Sequence, residues 1–239
     1  MHNPILAALD VSEPERALAL AEQLAPVVAG FKVGAELFTA AGPDIVRHLC
    51  RLGATVFLDL KFHDIPNTVA RAVANATRLG VRMLTVHASG GLEMMQAAEA
   101  AARETAAALG FDPPLVLAVT VLTSMDGHSL EQVGQPSHVG RQVERLAQLA
   151  VQAGLRGLVC SPLELVSLRQ LLPEEVQLVS PGIRGPTDPL NDQKRTLTAR
   201  EAIEAGANWL VIGRPIYAAP NPRAAAERIL ESLNPHSAP

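Results

Sequence analysis

Thr55-Val-Phe-Leu-Asp59-Leu-Lys61-Phe-His63-Asp64-Ile-Pro66-Asn-Thr68 begins as an apolar strand, then carries three ionisable groups in six residues and stops at a proline. On a pleated strand Asp59 and Lys61 share one face, with Leu58 and Leu60 on the other. A charge taken out of water costs several kcal/mol unless it is paired, so both signs on one face of an apolar strand call for an ion pair, either a structural one at the strand end or one with a chemical task, and the rest of the chain decides between them. Pro66 ends the extended run and suits the first turn of a helix from about Asn67 to Leu79. The stretch therefore reads as a strand, a short charged loop and a helix.

The same unit recurs along the chain. Apolar runs at 5–9, 31–34, 56–61, 83–88, 115–122, 157–160, 176–180 and 209–212 read as strands. Helical patterns fall between them: from Pro14 to about Ala29, from Gly42-Pro43-Asp44 through Leu52, over 67–79, up to Leu109, over 139–153, a short one after Ser161-Pro162, over 198–205, and finally over 222–233. Eight alternations without a Pro-rich linker predict an α/β protein, a (β/α)8 TIM barrel formed by residues 1–239 as a single domain. A doubly wound open sheet is the alternative. It lacks support, because Asp10-Val-Ser-Glu13 stands where a Gly-x-Gly-x-x-Gly turn would follow the first strand.

Barrel enzymes carry their chemistry at the C-terminal ends of the strands. Asp10, Lys32, Asp59 and Lys61 close strands one to three, so they are expected to converge on one mouth as an alternating array of two acids and two bases. Of the 20 basic residues only Lys32, Lys61 and Lys194 are lysines. Arg stays charged at all working pH values, whereas Lys gives up a proton when its surroundings demand it, so these lysines point to a task Arg does not perform. Across the mouth, the loops after strands seven and eight read Pro181-Gly-Ile-Arg184-Gly and Gly213-Arg214-Pro. Such loops commonly hold phosphate, through backbone N–H groups and a bidentate Arg. The parts predict an enzyme acting on a small phosphorylated molecule. A neutral Lys forming a Schiff base is disfavoured by the flanking carboxylates; a paired ammonium is instead an acid for a developing carbanion.

Bulk composition narrows the rest. With 48% apolar residues and a net charge of -4, the 239-residue chain has ample core, and its acidic balance disfavours nucleic acid or a membrane surface as its main partner. No run of about 18 apolar residues appears, and Met-His-Asn-Pro does not open a signal sequence, so a cytoplasmic location is expected. Cys50 and Cys160 read as buried free thiols, His63 and His87 as packing residues, and no metal-ligand cluster stands out.

The stretch Asp59-Leu-Lys61-Phe-His-Asp64-Ile-Pro-Asn-Thr68 resembles the signature of orotidine 5′-phosphate decarboxylases of the bacterial type. Phe31-Lys32-Val-Gly, Val121-Leu-Thr123-Ser, Pro181-Gly-Ile-Arg184, Gln193 and Ile212-Gly213-Arg214-Pro fall in register with it. The resemblance implies decarboxylation of orotidine 5′-monophosphate to UMP, the last step of UMP synthesis, with no metal or organic cofactor. It also implies that Lys61 protonates C6 within an array of Asp59, Asp64 and Lys32. Asp10, Lys32 and Thr68 would hold ribose hydroxyls, Thr123 the pyrimidine edge, and Arg184, Gln193, Gly213 and Arg214 the phosphate. In this family the second Asp enters from the neighbouring subunit, so a homodimer with shared sites is implied, Asp64 reaching across. The rivals are a metal-dependent sugar-phosphate decarboxylase or hexulose phosphate aldolase on the same barrel, which share an Asp-x-Lys-x-x-Asp pattern, and a barrel retained only as a nucleotide-binding module.

Overall fold

The computed structural model describes residues 3–185 and 196–234. Eight parallel strands follow one another around a closed barrel: β1 (Ile5–Ala8), β2 (Gly30–Gly34), β3 (Thr55–Phe62), β4 (Met83–His87), β5 (Leu115–Val119), β6 (Gly157–Val159), β7 (Gln177–Ser180) and β8 (Trp209–Ile212). The ring closes where β1 pairs with β8, Leu6 opposite Val211. Eleven α-helices are described: α1 (Pro14–Leu24), α2 (Ala35–Ala41), α3 (Pro43–Arg51), α4 (Pro66–Arg78), α5 (Leu92–Leu109), α6 (Gly127–Gln132), α7 (Val139–Gln152), α8 (Leu165–Leu171), α9 (Ala199–Glu204), α10 (Arg214–Tyr217) and α11 (Pro222–Ser232). The expected (β/α)8 architecture holds. None of the described helices is long and apolar enough to cross a membrane.

Strand alternation sorts the core into two compartments. Leu6, Ala8, Phe57, Met83, Leu117, Val179 and Val211 fill the barrel interior. Their neighbours, among them Ile5, Ala7, Val56, Leu58 and Leu84, pack outward beneath the helices. A side chain such as Phe57, 1% exposed, contributes roughly 1.5–3 kcal/mol by leaving water. Phe57 also forms part of the floor on which the charged mouth rests, because Asp59 follows it on the same face.

Besides α1, which ends at Leu24 rather than near Ala29, three boundaries differ from expectation for local reasons. The segment between β2 and β3 folds as two helices, since Gly42 at φ 66° ends α2 and Pro43 opens α3. The polar stretch after β5 contains α6, whose start is capped by Asp126 accepting from the Ser129 N–H at 3.0 Å. β5 stops at Val119 rather than Leu122, because its partner β6 ends at Val159, and residues 121–124 turn inward over the mouth instead.

Candidate active site

Regular alternation carries β3 only as far as Asp59. Leu58 pairs with Leu84 and Phe62 with Val86, so Asp59, Leu60 and Lys61 bulge opposite Thr85 alone. Lys61 takes up the slack at φ 51°, the only positive φ of a non-glycine among the described residues. That conformation costs on the order of 1–3 kcal/mol and persists only where neighbours hold it. Here its N–H donates to Thr85 Oγ1 at 2.8 Å, and its ammonium donates to Asp59 Oδ2 at 2.7 Å. Lys61 reaches the mouth beside Asp59, as anticipated, but by a left-handed kink rather than by the plain pleat.

The four charges form one chain. Asp10 Oδ1 accepts from Lys32 Nζ at 2.7 Å, Lys32 Nζ lies 3.9 Å from Asp59 Oδ2, and the same oxygen accepts from Lys61. Asp59 Oδ1 accepts from the Thr85 hydroxyl at 2.9 Å, so both carboxylate oxygens are engaged. Side chains of Lys32 and Asp59 are 11% and 12% exposed, whereas that of Lys61 is 35% exposed and fronts the cavity. Charges this deep remain tolerable because each has an opposite partner and directed hydrogen bonds.

Gly34 makes room for this chain. A Cβ there would stand 2.9 Å from Lys32 Nζ and 3.3 Å from Asp10 Oδ1. Gly34→Ala is expected to leave the melting temperature within about 4 °C, since the ammonium at the end of a flexible stem gives way. It should still lower kcat/KM by on the order of tenfold or more, because misplacing an array by a fraction of an ångström is expensive in rate. Steady-state kinetics beside a thermal melt check this, and unchanged kinetics would show that the fit at Gly34 is irrelevant.

The array opens into a cavity of about 330 Å³ lined by Asp10, Lys32, Asp59 and Lys61 on one side and by Gly182, Arg184, Gly213 and Arg214 on the other. Thr123 and Ser124 cover it from the β5 side, above Val119 and Val159. Arg184 is 7% exposed, and its Nη1 donates to the Ile183 carbonyl at 2.7 Å, which fixes the guanidinium at the rim. Cationic and glycine-rich segments therefore face the Asp/Lys array across a space of nucleotide size, an arrangement suited to an anion at one end and proton transfer at the other.

Asp64 and Thr68 do not line this cavity. Both are exposed, and Asp64 Oδ1 accepts the Ile65 N–H at 2.6 Å. Gln193 lies outside the described residues. Two cavity-related groups escaped the sequence reading. Thr85, fully buried, braces both Asp59 and Lys61; the signal was a hydroxyl on the inward face of a strand, between Met83 and His87. Tyr217, the chain's single tyrosine, lines the cavity from the end of α10, a helix too short to announce itself by periodicity.

The His63 and His87 rings lie tilted at 42° with centroids 5.4 Å apart, and the space that a Gly90 side chain would need is taken by Met94, with the His63 ring edge beside it. Burial, with His63 and Lys61 nearby, pushes His87 down from the ordinary imidazole range, so it stays neutral beside the array. Cys160 is buried and Cys50 half-buried, both free thiols, and burial pushes the Cys50 thiol up.

Comparison with known proteins bears on the same residues. The model of the "Orotidine 5'-phosphate decarboxylase / HUMPS family" matches residues 3–229. Orotidine 5′-phosphate decarboxylase of Paramagnetospirillum magneticum is 52% identical over 233 residues, covering 98% of this chain and 99% of that one. The enzyme of the same name from Opitutus terrae is 51% identical over 229 residues, 96% and 97% of the two chains. The crystal structure of orotidine 5′-phosphate decarboxylase from Lactobacillus acidophilus superposes with a TM-score of 0.83 at 36% identity, covering 98% of this chain and all of that one. Likeness that runs nearly end to end in sequence and in backbone admits one assignment: this chain belongs to the orotidine 5′-phosphate decarboxylase / HUMPS family.

Proposed function

We propose that this protein decarboxylates orotidine 5′-monophosphate to UMP, the closing step of UMP synthesis, in the cytoplasm and without a metal or organic cofactor. The whole chain serves as one barrel domain. The observation that carries the reading is the Asp10–Lys32–Asp59–Lys61 chain facing Arg184, Gly213 and Arg214 across one cavity. Phosphate binds at the arginine rim, ribose hydroxyls meet Asp10 and Lys32, and the pyrimidine edge lies under Thr123. That leaves C6 in front of Lys61 and Asp59. Gln193 completes the phosphate grip, Thr68 meets a ribose hydroxyl, and Asp64 enters the site of the partner subunit in a homodimer.

The C6–carboxylate bond breaks with its electron pair left on C6, CO2 departs, and Lys61 Nζ delivers the proton to that carbon. Magnitudes assign the roles. A carboxylate about 4 Å from the substrate carboxylate repels it by roughly 4 kcal/mol at an effective dielectric near 20. Enzymes acting on very slow reactions lower the barrier by about 20 kcal/mol. Repulsion from Asp59 is therefore a minor part, reduced further by the two lysines. The larger part is the Lys61 ammonium, held in place before the reaction and aimed at the developing carbanion in a water-poor site. Phosphate binding supplies the remote energy that holds the ring there.

The metal-dependent rivals on this barrel need a carboxylate free to bind a cation. Both oxygens of Asp59 are already engaged by Lys61 and Thr85, which favours the decarboxylase reading. The deciding experiment follows absorbance as purified protein converts orotidine 5′-monophosphate to UMP, with and without a chelator. Equal rates are expected in both. No conversion, or conversion restored only by added divalent metal, would overturn the proposal.

A further inference from the structure

Tyr217 has no part in the machinery described so far, although it stands on the cavity wall with Gly213 and Arg214. Its surroundings locate the ring. Its ring atom Cε1 lies 3.3 Å from the place a Gly213 Cβ would occupy, and Asp10 Oδ2 and Ala8 Cβ lie 3.6 Å from that same place. The ring edge is thus laid over the end of β8, next to the end of β1. The phenol feels the charges of Asp10, Glu36 and Lys32 on the ribose side and of Arg214 on the other. The residue sits at the seam between the two halves of the site, with Arg184 on the same cavity wall.

A phosphate monoester offers three outward oxygens and is best held by several converging donors. Two arginines and the glycine-rich turns furnish some of these. A phenol is well matched to add another: it brings an apolar ring that excludes water and one O–H donor without adding charge. Burial, followed by the carboxylates of Asp10 and Glu36, pushes the phenol up from its ordinary range, which keeps it a donor through the neutral and mildly alkaline range. Gly213 permits this arrangement sterically, since any side chain there would press on the ring.

We infer that Tyr217 is a substrate-binding residue whose ring walls the β8–β1 side of the cavity and whose hydroxyl donates a hydrogen bond to the 5′-phosphate of the nucleotide. The inference rests on the nucleotide reading of the site given above. It adds to that reading a contact from α10 that orients the phosphate relative to the Asp10–Lys32 pair.

The test compares wild type, Tyr217→Phe and Tyr217→Ala in binding of UMP and of uridine by NMR titration, and in steady-state decarboxylation. Tyr217→Phe should weaken UMP about tenfold, the usual size of one hydrogen bond to a charged group, leave uridine within twofold, and lower kcat/KM for orotidine 5′-monophosphate by about tenfold. Tyr217→Ala should weaken both ligands, because the wall is lost as well. Wild-type affinity for UMP in Tyr217→Phe, or equal losses on UMP and uridine, would overturn the phosphate contact. If wild type itself neither binds UMP nor turns over orotidine 5′-monophosphate, the function proposed for the site fails first, and the two failures remain distinct.

Discussion

Lys61→Ala is expected to lower decarboxylation by at least about 10⁴-fold while leaving UMP affinity within about tenfold, because the ammonium acts on the transition state and the product no longer carries the negative charge it serves. The backbone supplies an independent control. Lys61 occupies φ 51°, a region in which a Cβ is penalised and glycine is not. Lys61→Gly should therefore be as inactive as Lys61→Ala yet more stable than it by about 1 kcal/mol, since both lose the same ion pair and only glycine relieves the strain. Denaturant unfolding of the two variants measures this difference. Substantial residual turnover in either variant would remove Lys61 from the proton-donor role, and equal stabilities would show that the kink costs nothing.

That strain explains how much of the site was legible beforehand. Asp10, Lys32 and Asp59 are found from sequence because each closes an apolar strand, and barrel geometry brings strand ends together whatever the intervening helices do. Lys61 was placed at the mouth by counting in twos, yet the count does not hold through the bulge. No glycine or proline marks that kink; it exists because Thr85, 24 positions later, captures the Lys61 N–H. Thr85 and Tyr217 are invisible to local patterning for the same reason, since their importance lies in which strand ends they meet. Repulsion and attraction within the array were likewise readable as signs but not as an order: only the structure places Asp59 between the two lysines, with Lys61 outermost.

Inactive Lys61→Ala and Asp64→Asn proteins, mixed and allowed to exchange subunits, are expected to recover about a quarter of wild-type activity, since half the dimers are mixed and each carries one intact site. The expectation follows from where Asp64 stands. It does not face the cavity of its own chain, and the next residue, Ile65, is 66% exposed at the same corner between β3 and α4. An apolar side chain that open beside a carboxylate suits a surface that a second subunit covers, with Asp64 carried over the boundary into the neighbouring array. There it would stand against Lys61 of the other subunit and complete an alternation of charge that one chain leaves unfinished. Each parent alone should stay inactive, because every one of its sites lacks one partner. If Asp64 served its own chain instead, no mixed dimer would hold an intact site. Absence of recovery after subunit exchange is confirmed by mass spectrometry would then place Asp64 outside the partner's site and assign its charge to the chain that carries it.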